Sequence, residues 1–184
     1  MAQAVRRYYA NPLRLIRHLH AKRIDEGVDY SGGGPVKALG PAVITLIARG
    51  TSYFWANVDG NAVVEQMLSG PLAGISVYNA ENCVPTKALW VGEQVTSDTT
   101  LCRLRNHFPW LEIGFAKSDG SDIPAAWRVY RKVTDGSKTA YGTDFSRLLG
   151  DLGAPEGNTN YGSGDRSYHP RKTVGKLPRG FPRF

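Results

Sequence analysis

The chain has 184 residues, is 41% hydrophobic with four Trp, and carries a formal net charge of +7. That length suits one domain with extensions, and that apolar content excludes a chain disordered throughout. No apolar run approaches the roughly 18 residues of a membrane-crossing helix, and the two cysteines fit neither a disulfide framework nor a four-cysteine zinc site.

The charge is unevenly laid out. Arg6, Arg7, Arg14, Arg17, Lys22 and Arg23 crowd the first 23 residues, and Arg166, Arg171, Lys172, Lys176, Arg179 and Arg183 crowd the last 19, with no acid in either segment. These two ends hold twelve of the 23 basic residues, so the middle sets eleven bases against all 16 acids. A mildly acidic body with two cationic ends predicts polyanion or partner contact through the termini. Aromatic side chains interleave with the cations at Tyr8, Tyr9, Tyr168 and Phe184, where they can stack on bases or fill grooves.

In chain order, Asn11 and Pro12 read as the cap and first residue of a short basic amphipathic helix. Leu15, Leu19, Ile16, Leu13 and Ile24 fall on its apolar side, and Arg14, Arg17, His18 and Lys22 on the other. The run Ser31 to Pro35 (SGGGP) reads as a linker that closes an arm over residues 1–34. A β-rich body is expected over 35–153, opening with Ala42–Ala48 (AVITLIA) and a second strand over Thr51–Val58. Asn61 is placed to cap a short helix carrying Val63, Val64, Met67 and Leu68, and Ile75–Asn79, Thr86–Val91 and Thr99–Arg105 read as further strands. A hairpin over Pro109–Val133 is anchored by Trp110 and Trp127, both expected in the core. Phe145, Leu148, Leu149 and Leu152 then give one face of a last helix starting at Thr143 or Asp144, and a Gly/Pro-rich basic tail fills 154–184. The fold class expected is mainly β, an antiparallel sandwich or barrel or an α+β variant, with short peripheral helices and extended basic arms.

No catalytic, cofactor or metal motif stands out. His18 and His20, two apart on the expected helix, face opposite ways and share no metal. A Cys102–His107 nucleophilic pair has no spacing to mark it, and the Ser31–Gly34 run lacks the strand-before, helix-after order of a phosphate loop. Asp119, Asp122 and Asp135 are spaced as turn residues rather than as a calcium loop. Cys83 and Cys102 are expected as unpaired buried thiols, which favours a reducing compartment.

The layout of basic arm, glycine linker and β-rich body is similar to that of small viral coat proteins. It leads to the expectation of a non-enzymatic structural subunit in a virion or intracellular particle. Such a subunit needs no cofactor or signal peptide, and it packs against copies of itself or other subunits while its termini touch nucleic acid. A peripheral subunit of a ribosome or another large complex, and a small β-rich enzyme or ligand-binding domain, are the alternatives.

Overall fold

The computed structural model describes residues 2–24, 27–50, 61–105, 110–116 and 140–157. Among these, nine strands form one antiparallel sheet: β1 (Arg17–Ile24), β2 (Val28–Lys37), β3 (Ala42–Ala48), β4 (Asn61–Met67), β5 (Ser76–Glu81), β6 (Cys83–Pro85), β7 (Gln94–Val95), β8 (Thr100–Leu104) and β9 (Leu111–Ala116). The strand order is β6-β8-β2-β9-β5-β4-β3-β7, with β1 added alongside β2. Two helices flank the sheet, α1 (Ala2–Tyr8) and α2 (Ala140–Asp151). The expectation of a mainly β, antiparallel architecture with short helices holds.

The sheet separates two apolar layers by strand parity. Val63, Met67, Val77, Leu111, Ile113 and Phe115 face the larger core, which Val5, Tyr9, Leu13 and Ile16 complete from the N-terminal segment. Helix α2 closes it with Phe145, Leu148 and Leu149, the Phe145 ring meeting Phe115 edge-on at 4.7 Å between centroids. Ala62, Val64, Tyr78, Ala80 and Ala116 line the opposite face.

Several local expectations are corrected. Asn11 does accept a bond from the Leu13 amide, at 2.8 Å, as a capping residue would. The chain nonetheless turns over Pro12–Leu15 and enters β1 rather than a helix, because the partner strand β2 admits it. The supposed glycine linker lies inside β2, and a Cβ on Gly32 would sit 2.5 Å from the Ile16 methyl Cγ2. Only a strand bare of side chains lets β1 lie this close, so tertiary packing overrides helical periodicity.

Asn61–Met67 is likewise a strand, not a helix: β4 runs between β3 and β5, and Ala62 to Glu65 are buried on both faces. Thr86–Val91 forms turns after β6 instead of a strand. Cys83 and Cys102 are not free thiols; antiparallel pairing of β6 with β8 brings their Cα atoms to 5.3 Å and they form a disulfide. Trp110 is half-buried rather than a core anchor, while Trp127 and the return strand of the expected hairpin lie outside the described residues. Residues 51–58 and His107 lie outside them too.

Candidate functional site

The second face of the sheet carries a buried polar cluster where β2, β5 and β9 meet. Asp29 and Glu112 are Cα partners across β2 and β9, so both carboxylates leave the sheet on the same side. Tyr78 stands opposite Gly114 on β5, one pleat along from Glu112, and its hydroxyl donates to Glu112 Oε1 at 2.5 Å. The Gly27 amide donates to that same oxygen at 3.1 Å. This convergence requires glycine at two places: a Cβ on Gly27 would lie 2.7 Å from the Tyr78 hydroxyl, and one on Gly114 2.8 Å from it.

Asp29 has a different donor. Arg23 Nε, on β1, donates to Asp29 Oδ2 at 2.6 Å, which matches the buried carboxylate with a cation. The Arg23 guanidinium also lies 5.9 Å from the centroid of the Trp110 ring, a cation–π distance. The Asp29 side chain is 1% exposed and that of Arg23 is 25% exposed. Arg23 and half-buried Trp110 therefore form the rim, and the two carboxylates and the phenol form the floor. Paired carboxylates with unlike donors are the raw material of acid–base chemistry.

A separate acid lies in the large core. Glu65 is fully buried, and both of its oxygens accept from the Leu39 amide at 3.2 Å. Burial pushes its carboxyl up to about 8, against the opposing effects of the Leu39 amide and the neighbouring Asn79 side chain. Asn79 sits diagonally across the β4–β5 ladder from Glu65, near enough to act on it without a hydrogen bond of ordinary geometry.

The cations and aromatics expected to bind a partner are scattered. Arg6 donates to the Asp151 carbonyl at 2.6 Å, Arg7 and Tyr8 are exposed, and Tyr9 is buried. The Tyr9 hydroxyl donates to the Ser69 carbonyl and accepts from the Leu72 amide, each at 2.7 Å. Arg14 pairs with Asp98 at 3.1 Å, Lys22 is half-buried, Arg23 belongs to the polar cluster, and Arg17 lines a groove on another part of the sheet. Arg166, Tyr168, Arg171, Lys172, Lys176, Arg179, Arg183 and Phe184 lie outside the described residues. Sequence reasoning missed Asp29 and Glu112, although each is a charged residue within an apolar run, VDY and LEIGF, which is a signal in itself.

His18 and His20 are exposed on β1. Among the described residues, no three His, Cys, Asp or Glu side chains come together as a metal-holding group. Also among them, no helix is long and apolar enough to cross a membrane.

No protein-family model matches the chain, and no curated protein matches it. Solved structures do. A putative peptidase M23 from Pseudomonas aeruginosa is similar at 19% identity and TM-score 0.38, over 65% of this chain and 53% of that one. The antimicrobial peptidase lysostaphin from Staphylococcus simulans is similar at 15% identity and TM-score 0.48, over 94% of this chain and 63% of that one. Its catalytic domain is similar at 20% identity and TM-score 0.37, over 70% of this chain and 98% of that one. The chain thus spans between half and two thirds of the first two. These are peptidases, not coat or capsid proteins. That finding overturns the expectation of a non-enzymatic virion subunit, and the virion or intracellular-particle location goes with it. A resemblance of layout was its whole support, and the glycine linker of that layout is a strand.

Proposed function

We propose that the chain is a hydrolase acting on a peptide amide bond at the Asp29–Glu112–Tyr78–Arg23 cluster. One observation carries the reading: two buried carboxylates on one rung, held by unlike donors. Peptide is the substrate class named for the solved chains reported above, and an amide needs the proton transfers that such a pair supplies. In this reading Asp29 takes a proton from a water molecule whose oxygen attacks the amide carbon. Arg23, at the rim, balances the charge that develops on the carbonyl oxygen. The C–N bond then breaks, and Asp29 returns the proton to the departing amine. Glu112, bonded to Tyr78 and to the Gly27 amide, holds the floor of the site in place.

The test is incubation of the full chain with a degenerate peptide pool, reading new amino termini by mass spectrometry. Cleavage is expected from the parent chain. Asp29→Asn should lower the rate by about a hundredfold or more, the usual worth of a positioned base. No cleavage by the parent, or undiminished cleavage by the variant, overturns the reading.

A further inference from the structure

A concave feature lies along β2 from this cluster. A groove of about 580 Å³ is lined by Arg17 of β1, Gly34 of β2, Arg103 and Arg105 on β8 and just beyond it, and Thr86 and Lys87 in the turn after β6, with further lining from apolar residues. No acid lines it. Gly34 is five residues from Asp29 on the same strand, about 16 Å at the usual rise, so this is not the rim of the carboxylate cluster.

Four cations converge here from three different parts of the fold. Arg103 lies on β8 and Arg105 is the residue just past its end, and both line the groove. Strand pairing places Arg103 beside Val84, and Arg17 beside Gly33, next to the groove's Gly34. All four cations are exposed, and none is ion-paired to a described residue. Like charges around one concavity repel each other, and the concavity concentrates their field on whatever enters it.

The groove is also rigid. The Cys83–Cys102 disulfide ties its walls together, each cysteine being the residue immediately before a lining residue, Val84 or Arg103. Arg49 braces the turn that carries Lys87, donating to the carbonyls of Pro85, Thr86 and Leu89 at 3.0, 2.9 and 3.1 Å. A solvated surface charge needs neither a covalent tie nor a three-bond brace behind it. A preorganised anion site gains from both.

We propose that this groove binds a linear chain of phosphate groups through its phosphates alone. Three arginines offer flat forks that engage phosphate oxygens in pairs, and Lys87 adds a point charge. Among the described residues no aromatic side chain lines the groove, so these residues offer phosphate contacts and no platform for stacked bases. Polyphosphate and the backbone of a nucleic acid share this chemistry; a carboxylate polymer does not present it.

The experiment is a fluorescence titration of the full chain with linear polyphosphate, a single-stranded oligonucleotide of mixed sequence and poly-glutamate, over a series of salt concentrations. Polyphosphate is expected to bind, with affinity falling steeply as salt rises. The oligonucleotide should bind without sequence preference, and poly-glutamate at least about tenfold more weakly than polyphosphate. The Arg103→Gln/Arg105→Gln variant should lose about tenfold in affinity and flatten the oligonucleotide salt slope by about 1.4, at about 0.7 per phosphate contact on single strands. Arg147→Gln removes a charge from an exposed site elsewhere and should change affinity by less than about twofold. Equal losses in the two variants would reduce the binding to net charge and overturn the groove. Equal affinity for poly-glutamate overturns the phosphate assignment, and a sequence-selective oligonucleotide overturns recognition through phosphates alone.

Discussion

Asp29 and Glu112 stand on one rung of β2 and β9, yet each is held from a different direction. Arg23 reaches Asp29 from the rim, whereas Tyr78 and the Gly27 amide reach Glu112 from within the sheet. The two acids are neighbours in space, and the donors described for them differ: Arg23 for Asp29, and Tyr78 with the Gly27 amide for Glu112.

Removing the Tyr78 hydroxyl tests the inner half of that arrangement. Tyr78→Phe leaves the ring in place and takes one donor from a buried carboxylate, at a cost of about 1–3 kcal/mol in urea denaturation. Glu112→Gln keeps an acceptor for the hydroxyl and should cost less. If Tyr78→Phe unfolds at the parent's midpoint, the bond contributes nothing to stability.

The disulfide gives a direct mass prediction. Unreduced denatured protein should weigh two hydrogens less than its reduced form. Replacing both cysteines with serine should lower stability by about 3 kcal/mol, the value expected for a closed loop with this separation of 19 residues. An unreduced mass equal to the reduced one refutes the pairing.

Glu65 sets a dependence on pH with a definite sign. Its carboxyl is raised from an ordinary 4.5 to about 8, so the folded chain holds that proton more tightly than the unfolded chain does. The contribution is complete below about pH 4.5 and declines as pH rises through about 8. Thermal melts of the parent chain should therefore show a loss of stability from pH 5 to pH 9 that Glu65→Gln largely removes. An identical decline in the variant would assign the effect to other groups.

Phe145 joins α2 to the sheet through Phe115. Phe145→Ala should destabilise by about 3–5 kcal/mol, the cost of emptying a buried aromatic site. Phe145→Leu, which keeps most of the volume, should cost less. Calorimetry of the two variants separates a packing role from a general loss of folding.

Much of this fold was legible in the sequence where one periodicity had one meaning. The β-branched run Ala42–Ala48 is β3 at the bounds expected, and the spacing of Phe145, Leu148 and Leu149 marked the buried face of α2. Reading failed where tertiary contact chose between two local options. Leu13 to Ile24 has helical spacing, but its Arg17–Ile24 stretch pairs with β2, and Val63-Val64 is apolar on both sides because β4 is covered on both. The cluster stayed hidden for a related reason: Arg23, Asp29, Tyr78 and Glu112 are spread over 90 positions, and only strand order makes them neighbours. Of the four cations that line the groove, Arg17 stands in the basic N-terminal segment, while Lys87, Arg103 and Arg105 sit in the net-acidic middle, where summed charge conceals them.

The order of the strands also decides how copies of this chain can meet. Among the described residues, the sheet ends in β6, three residues long with a proline, and in β7, only two residues long. The third open margin, β1, is bulged in register, carries His18 at a φ of 53°, and bears Arg17, Lys22 and Arg23 along its length. Short strands, proline, kinks and cations each deny a neighbouring backbone a ladder to extend. These three margins are therefore poor templates for fibril growth by strand addition.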